Sequence, residues 1–244
     1  MKNKNYGASH KTINVSAKRF DMSPFMSKYS NAQTVYGIYA NRFYPLSTQD
    51  DPTEAYWNLK NNVMLYDVPE KPLEISGPDS IQLLETIFTR TIADLKLYRA
   101  RYTIACTFEG GIFMDGVLIR LEKNKFWYIH ANGDFETWLI AHSQDLNVTI
   151  RDPQSWAIQI QGPNALKLLK KAVPELNLEE FKYFHALKLN LNGQNFLVSR
   201  TGWTGELGFE IYTNGPNDDY SNLWDYFMEN GKNLGIMTGG LDSM

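Results

Sequence analysis

The amino-acid sequence predicts an α+β fold of two similar strand–turn–helix halves with antiparallel sheets, on three observations. The first is a repeated phrase. Ile75-Ser76-Gly77-Pro78-Asp79-Ser80 leads into Ile81, Leu83 and Leu84, and Ile160-Gln161-Gly162-Pro163-Asn164-Ala165 leads into Leu166, Leu168 and Leu169. The copies lie about 85 residues apart. Two copies are too few for a solenoid, but they fit two halves packed together with a ligand cleft at their junction. Chance Gly-Pro turns are the competing explanation. The second observation is a series of strand-like runs, Arg101–Thr107, Gly116–Leu121 and Lys125–His130. Turn signals at Glu109-Gly110-Gly111 and Glu122-Lys123-Asn124 separate them, which predicts an antiparallel meander. The third is the stretch SRTGWTGELGFEIY, Ser199–Tyr212, where Gly202, Gly205 and Gly208 give way to the alternating strand Phe209-Glu210-Ile211-Tyr212.

The remaining elements follow in order. Met1 to about Ser23 is polar, rich in Lys and Asn and aperiodic, and is expected to be a mobile arm. Residues 24–244 then form the folded region, with halves at about 55–150 and 151–244. Asp50-Asp51-Pro52-Thr53-Glu54 is a helix start, with acids and an early proline. The helix after it presents Ala55, Leu59 and Val63 on one face. Leu73-Glu74-Ile75 alternates as a strand and stops at Gly77-Pro78; Ile81, Leu83, Leu84, Ile87 and Phe88 then recur at helical spacing. A helix is expected from Asp134 to His142, a strand near Val148–Arg151 and another at Phe196–Arg200. The last helix is Leu223–Asn230, ending near Gly231.

Composition narrows the function classes. At 244 residues the chain can bury a sizeable core. A formal charge of −3 gives no footprint for nucleic acid. No apolar run approaches the roughly 18 residues of a membrane span, and no signal-peptide h-region follows the polar start. Cys106 is the only cysteine, so no intrachain disulfide forms and a reducing, cytoplasmic setting is expected. Four histidines, His10, His130, His142 and His185, lack metal-ligand spacing with one another or with Cys106, so no metal is expected. Phosphate-loop, dinucleotide and nucleophile-elbow motifs are absent.

Two acids stand out. Glu210 lies between apolar neighbours on a short strand and so points to the face opposite Phe209 and Ile211. There it can accept two parallel hydrogen bonds from a planar N–H edge such as a pterin; the alternative is a surface hairpin with Glu210 in solvent. Asp115, in Gly110-Gly111-Ile112-Phe113-Met114-Asp115-Gly116, either orients or deprotonates an amine at a cleft or caps its own turn.

Three segments together resemble the folate-binding aminomethyltransferase family, which includes the T-protein of the glycine cleavage system and tetrahydrofolate-dependent demethylases such as dimethylsulfoniopropionate demethylase. They are Tyr66-Asp67-Val68 with Ile75-Ser76-Gly77-Pro78, then Gly110-Gly111-Ile112-Phe113-Met114-Asp115, then Arg200-Thr201-Gly202-Trp203-Thr204-Gly205-Glu206-Leu207-Gly208-Phe209-Glu210. The resemblance runs from about Ser23 to the last residue. It implies a central folate cleft and tetrahydrofolate as cofactor. It also implies that Asp115 is catalytic, set against the reactive nitrogens, that Glu210 grips the pterin edge, and that Trp203 and Tyr102 line the pocket. The family's arginine-bearing helix and C-terminal β-barrel have no counterpart before Met244, so a truncated chain is expected.

Departures from the family pattern direct the finer expectation. Pro69-Glu70-Lys71 follows Asp67-Val68 where T-proteins have Ser-His-Met, Met114 replaces the first of two acids, and Ala131–Trp138 resembles the demethylase branch. With Trp127, Tyr128 and Trp203 as aromatic faces for a cation, these changes imply methyl transfer from a small methylated sulfonium or amine to tetrahydrofolate. The alternatives are T-protein aminomethyl transfer, with a lipoyl carrier protein as partner, and a non-catalytic folate-binding protein. Core packing is the alternative for the aromatics.

Overall fold

The computed structural model describes residues 19–48, 51–215 and 220–244. In chain order the elements are α1 (Met26–Tyr29), β1 (Val35–Tyr39), β2 (Arg42–Ser47), α2 (Pro52–Asn61), β3 (Val63–Val68), β4 (Lys71–Ser76), α3 (Ser80–Ile87), β5 (Ala100–Cys106), β6 (Ile112–Glu122) and β7 (Lys125–His130). They continue with α4 (Phe135–His142), β8 (Thr149–Arg151), β9 (Ala157–Gln161), α5 (Ala165–Ala172), β10 (Ala186–Leu191), β11 (Gln194–Ser199), β12 (Gly208–Tyr212), α6 (Ser221–Gly231) and β13 (Ile236–Thr238). One sheet has the order β5-β6-β7-β4-β8 and is antiparallel throughout. The other has the order β10-β11-β12-β9-β3-β13, antiparallel except where β13 runs parallel to β3. The hairpin β1-β2 forms a separate two-stranded sheet.

Strand alternation turns these sheets into four layers. On the larger sheet Val63, Leu65, Ile158, Ile160, Phe209 and Ile211 pack against α5 and α6. On the smaller sheet Leu73, Ile75, Leu118, Phe126 and Tyr128 pack against α3 and α4. The intervening residues of both sheets meet in a third core that joins Tyr66, Val68 and Tyr212 to Ile119, Trp127 and Ile129. Trp127 meets Tyr212 edge-on across it, with ring centroids 6.1 Å apart. Both strand faces are therefore buried in the centre of each sheet, which is why β3 and β9 are buried at every position.

The repeated phrase is a structural repeat. Gly77 and Gly162 take nearly the same left-handed backbone, φ +125° and +121°. At both, a side chain would strike backbone carbonyl oxygen, of Asn147 and of Asn62 respectively. The registers agree as well: Glu74 faces Trp127 across β4-β7 and Gln159 faces Glu210 across β9-β12. Trp127 and Glu210 thus hold corresponding places in the two sheets. The duplication is not a clean division of the chain, because β3 lies in the first half by sequence but pairs with β9 of the other sheet.

Several expectations shift. Val63 does not continue α2; the Asn58 amide donates to the Val63 carbonyl at 3.1 Å, just beyond the helix end, and Val63 opens β3. β6 starts at Ile112 rather than Gly116, which takes Asp115 off a turn and into a ladder opposite Ile104. β1, β2, β3, β10 and β13 are strands that the sequence pattern does not predict. Of the arm expected over 1–23, residues 1–18 lie outside the described residues. Residues 19–23 are anchored to the fold: Asp21 exchanges backbone hydrogen bonds with Asn41 and Phe43, Phe20 meets Phe43 edge-on at 5.4 Å and Ser23 is buried, while Arg19, Asp21 and Met22 stay exposed. Asp50 also lies outside the described residues, while Asp51 caps α2 by accepting from the Thr53 and Glu54 amides. No helix among the described residues is long and apolar enough to cross a membrane.

Glu74 shows how the smaller sheet tolerates a buried acid. It accepts from Trp127 Nε1 at 3.0 Å and pairs with Arg151 at 2.7 Å and Lys125 at 3.1 Å. Those bonds hold its carboxyl below the usual range despite the burial. Glu74→Ala leaves the Trp127 N–H unsatisfied in the inter-sheet core, so chemical denaturation should show a loss of about 1–3 kcal/mol.

Candidate functional site

Between the two sheets lies a cavity of about 580 Å³, and all four residues singled out in the sequence, Tyr102, Asp115, Trp203 and Glu210, line it. The β1-β2 hairpin closes one wall with Tyr39 and Tyr44. Glu210 is buried, whereas Trp203 (58% exposed) and Tyr102 (43% exposed) stand at the solvent side. The cavity therefore runs from aromatic rings inward to an acid.

Glu210 faces the inter-sheet space because Phe209 and Ile211 take the helix side of β12. Its surface-hairpin alternative does not hold: the opposite face is interior. A carboxylate placed there needs hydrogen-bond donors, and the neighbouring strands provide them. Gln159 Nε2, directly across on β9, donates to Oε1 at 2.7 Å. Oε2 accepts from Tyr212 at 2.9 Å and from Thr201 in a short contact, with Ser199, its partner on β11, at 3.4 Å. Burial and the Glu210 charge push the Tyr212 hydroxyl well above its ordinary pKa, so it stays a donor.

The glycine-rich segment positions this strand. Gly202 and Gly208 lie so close to the Gln161 amide that a Cβ at either would collide with it. That amide ties the loop down, donating to the Thr201 carbonyl at 3.3 Å and accepting from Thr204 Oγ1 at 2.9 Å. Lys60 on α2 clamps Glu206 at 2.6 Å. The close approach these two glycines permit is thus to Gln161.

Asp115 points into the cavity because its neighbour Met114 points the other way, into the core beneath α3 and α4. Met114, which stands in place of an acid, is thus an apolar side chain in an apolar core. Tyr102 O–H donates to Asp115 Oδ2 at 2.7 Å. Oδ1 has no hydrogen-bond partner among the described residues, so it is available to a ligand. The turn-capping alternative for Asp115 does not hold. His130, buried in the same wall, bonds through Nδ1 to the Ala131 carbonyl at 2.6 Å, and burial lowers its pKa. Trp127 and Tyr128 are core residues and do not line the cavity.

Sequence reasoning missed two further acids of the wall, Asp67 and Glu70. Asp67 accepts from Tyr29 at 2.7 Å, and burial raises it to about 7. Burial, reinforced by the Glu210 charge, raises Glu70 to about 8. The Asp67-Val68-Pro69-Glu70 run was visible in the sequence, but nothing there placed it beside Glu210. No group of three or more His, Cys, Asp or Glu among the described residues is arranged to hold a metal ion.

A sheet pair around such a cavity defines a class of protein found elsewhere. Residues 10–244 match the family model described as the GCVT N-terminal domain, and the chain belongs to that family. Among curated relatives, an aminomethyltransferase of Halothermothrix orenii is 31% identical over 193 residues, covering 77% of this chain and 53% of that protein. One from Clostridium botulinum is 30% identical over 227 residues, covering 88% and 60%; one from Bacillus cereus is 37% identical over 196 residues, covering 77% and 52%. The chain spans about half the length of the curated relatives it matches. The crystal structure of glycine cleavage system aminomethyltransferase T from Bartonella henselae shares the fold, with a TM-score of 0.78 at 22% identity over 92% of this chain and 60% of that one.

The raised acids make stability depend on pH. Asp67 and Glu70 have folded pKa values of about 7 and about 8 against ordinary values of 3.8 and 4.5. The unfolded chain ionises first, so their contribution is full below about 4 and is lost as pH rises through 7–8. The denaturation midpoint should fall between pH 5 and pH 9, and Asp67→Asn with Glu70→Gln should flatten that decline.

Proposed function

We propose that this chain forms the cofactor-binding region of a tetrahydrofolate-dependent one-carbon transferase, with aminomethyl transfer as its reaction. Glu210 carries this reading: a buried acceptor inside an aromatic-walled cavity suits the N–H edge of a flat heterocycle. Its Oε1 takes a single protein donor and keeps a lone pair for a ligand. Asp115 Oδ1 is open nearby, and the Tyr102 bond fixes the carboxyl that bears it. These residues fit a pterin. Tetrahydrofolate, when bound, supplies the nitrogen that accepts the one-carbon group.

The protein's own part is to bind, orient and dry the site. Glu210 sets the ring in the cavity, and Asp115 holds or takes a proton at the reacting nitrogen. Tyr102 keeps Asp115 aimed, and Trp203 covers the outer side against water. Positioning in a dry cleft accounts for most of the rate. The names of the relatives favour the aminomethyl reaction, delivered from a lipoyl carrier protein, over methyl transfer from a small sulfonium or methylated amine. One observation keeps the second reading: the Tyr102 and Trp203 rings are exposed at the cavity, where a cation can meet aromatic faces.

Product analysis decides between them. Supplied with tetrahydrofolate and an aminomethylated lipoyl carrier, the protein should form 5,10-methylenetetrahydrofolate; 5-methyltetrahydrofolate made from a cationic donor alone would reverse the choice. Asp115→Asn should leave folate affinity and the thermal midpoint nearly unchanged while single-turnover rates fall at least tenfold. Glu210→Gln should weaken folate binding by about 1.5–3 kcal/mol by calorimetry. Unchanged affinity in that variant would remove Glu210 from the site.

A further inference from the structure

Glu210 leaves little room for a two-point grip on a ligand. Its Oε2 already accepts from Thr201 and Tyr212, with Ser199 behind them, and those bonds fill both lone pairs. One lone pair on Oε1 remains. Glu70 lines the same cavity, close enough to feel the Glu210 charge. The residue keeps some exposure, yet its Oε2 is shut off from solvent and has no hydrogen-bond partner among the described residues. Arg42, the cation that acts on it, directs Nη1 to the Glu70 backbone carbonyl at 3.0 Å rather than to the carboxyl, and lays its guanidinium over the Trp156 ring. A buried polar atom without a partner is costly, and a ligand seated on Glu210 would relieve that cost.

We propose that Glu70 is a second binding residue for the flat heterocycle held by Glu210, giving its carboxyl O–H to a ring nitrogen or carbonyl acceptor while Glu210 takes an N–H of the same ring. This rests on the folate reading above. The charged and titratable groups around Glu70 are Glu210 and Tyr212 on β12, Asp67 on β3, Arg42 on β2 and Tyr39 on β1. Two acids and one cation face it; burial and Glu210 hold its pKa at about 8, so at neutral pH it is an acid able to donate. The arrangement divides the work. Glu210, rich in donors, is the acceptor; Glu70, poor in them, keeps its proton. An acceptor and a donor side by side select a ring edge with the opposite pattern, the edge of an amino-oxo heterocycle. Glu70 occupies the position at which the run after Asp67-Val68 departs from the T-protein pattern, so this feature belongs to this chain.

The test uses a tail-less tetrahydropterin, 6-methyltetrahydropterin, with affinity read by calorimetry on the 244-residue chain from pH 6 to pH 9.5. Wild type should bind, with affinity falling by about tenfold per pH unit above about 8 as Glu70 loses its proton. Glu70→Gln, which keeps a donor but cannot ionise, should bind within about threefold of wild type at pH 7 and lose that decline. Glu70→Ala should bind at least about tenfold more weakly. If Glu70→Ala fails to fold, as thermal melts will show, the pH profile of Glu70→Gln decides alone. Glu70→Ala binding as wild type does would overturn the proposal while leaving the folate reading intact. So would Glu70→Gln as weak as Glu70→Ala, or as pH-sensitive as wild type. No binding of the pterin by wild type would remove both.

Discussion

A carboxylate between two sheets governs this structure. Glu210 sits on the inner face of an interior strand, where burial removes most of its water, so the surrounding strands supply its donors. That requirement explains a run of otherwise unrelated polar residues. Gln159 and Ser199 are its cross-strand partners, Tyr212 follows two places along the same face, and Thr201 opens the glycine loop. Removing any one would leave an acid short of donors in a low-dielectric layer. The same constraint reaches the glycine loop, whose Thr201 is held by Gln161, two residues along from Gln159 on the same strand face.

The duplicated architecture makes room for such a site. Two sheets of similar register, each backed by helices, meet through side chains that alternate with those facing the helices. Trp127 and Glu210 hold matching places, yet one fills space and the other carries charge. In the smaller sheet a buried acid, Glu74, is neutralised by Arg151 and Lys125 and bonded to Trp127. In the larger sheet Glu210 is bonded to neutral donors only. A charge stabilised by dipoles keeps its capacity to bind a further donor; one paired with cations has less to offer. The repeat therefore supplies a packed side and a receptive side from one template.

Much of the fold was legible because local rules dictate it. The Gly-Pro turns, the meander and the amphipathic helices follow from backbone permissiveness and from periodicity, and β7 spans the residues expected of it, Lys125–His130. β3 was harder: Val63-Met64-Leu65-Tyr66 is buried on both faces and lacks the polar alternation that marks a strand, which Ile158-Gln159-Ile160-Gln161 of β9 keeps, and β3 was seen only as the phrase Tyr66-Asp67-Val68. Val63 looked helical because an apolar residue at i+4 from Leu59 fits either period. Trp127 and Tyr128 looked available to a ligand because aromatic content says nothing about which face a strand turns inward.

The sequence by itself determined the α+β class, the repeated turn and the outward–inward alternation that sends Glu210 away from Phe209 and Ile211. Each depends on residues within a few positions of one another, where sterics and periodicity suffice. Only the tertiary structure decided that Glu210 faces an interior rather than solvent, that Asp115 belongs to a ladder, and that Glu70 and Glu210 stand in one wall. Those facts join residues as far apart as 70 and 210. The nearness of Glu70 to Glu210 follows from β3 entering the larger sheet beside β9, and no local signal encodes that pairing.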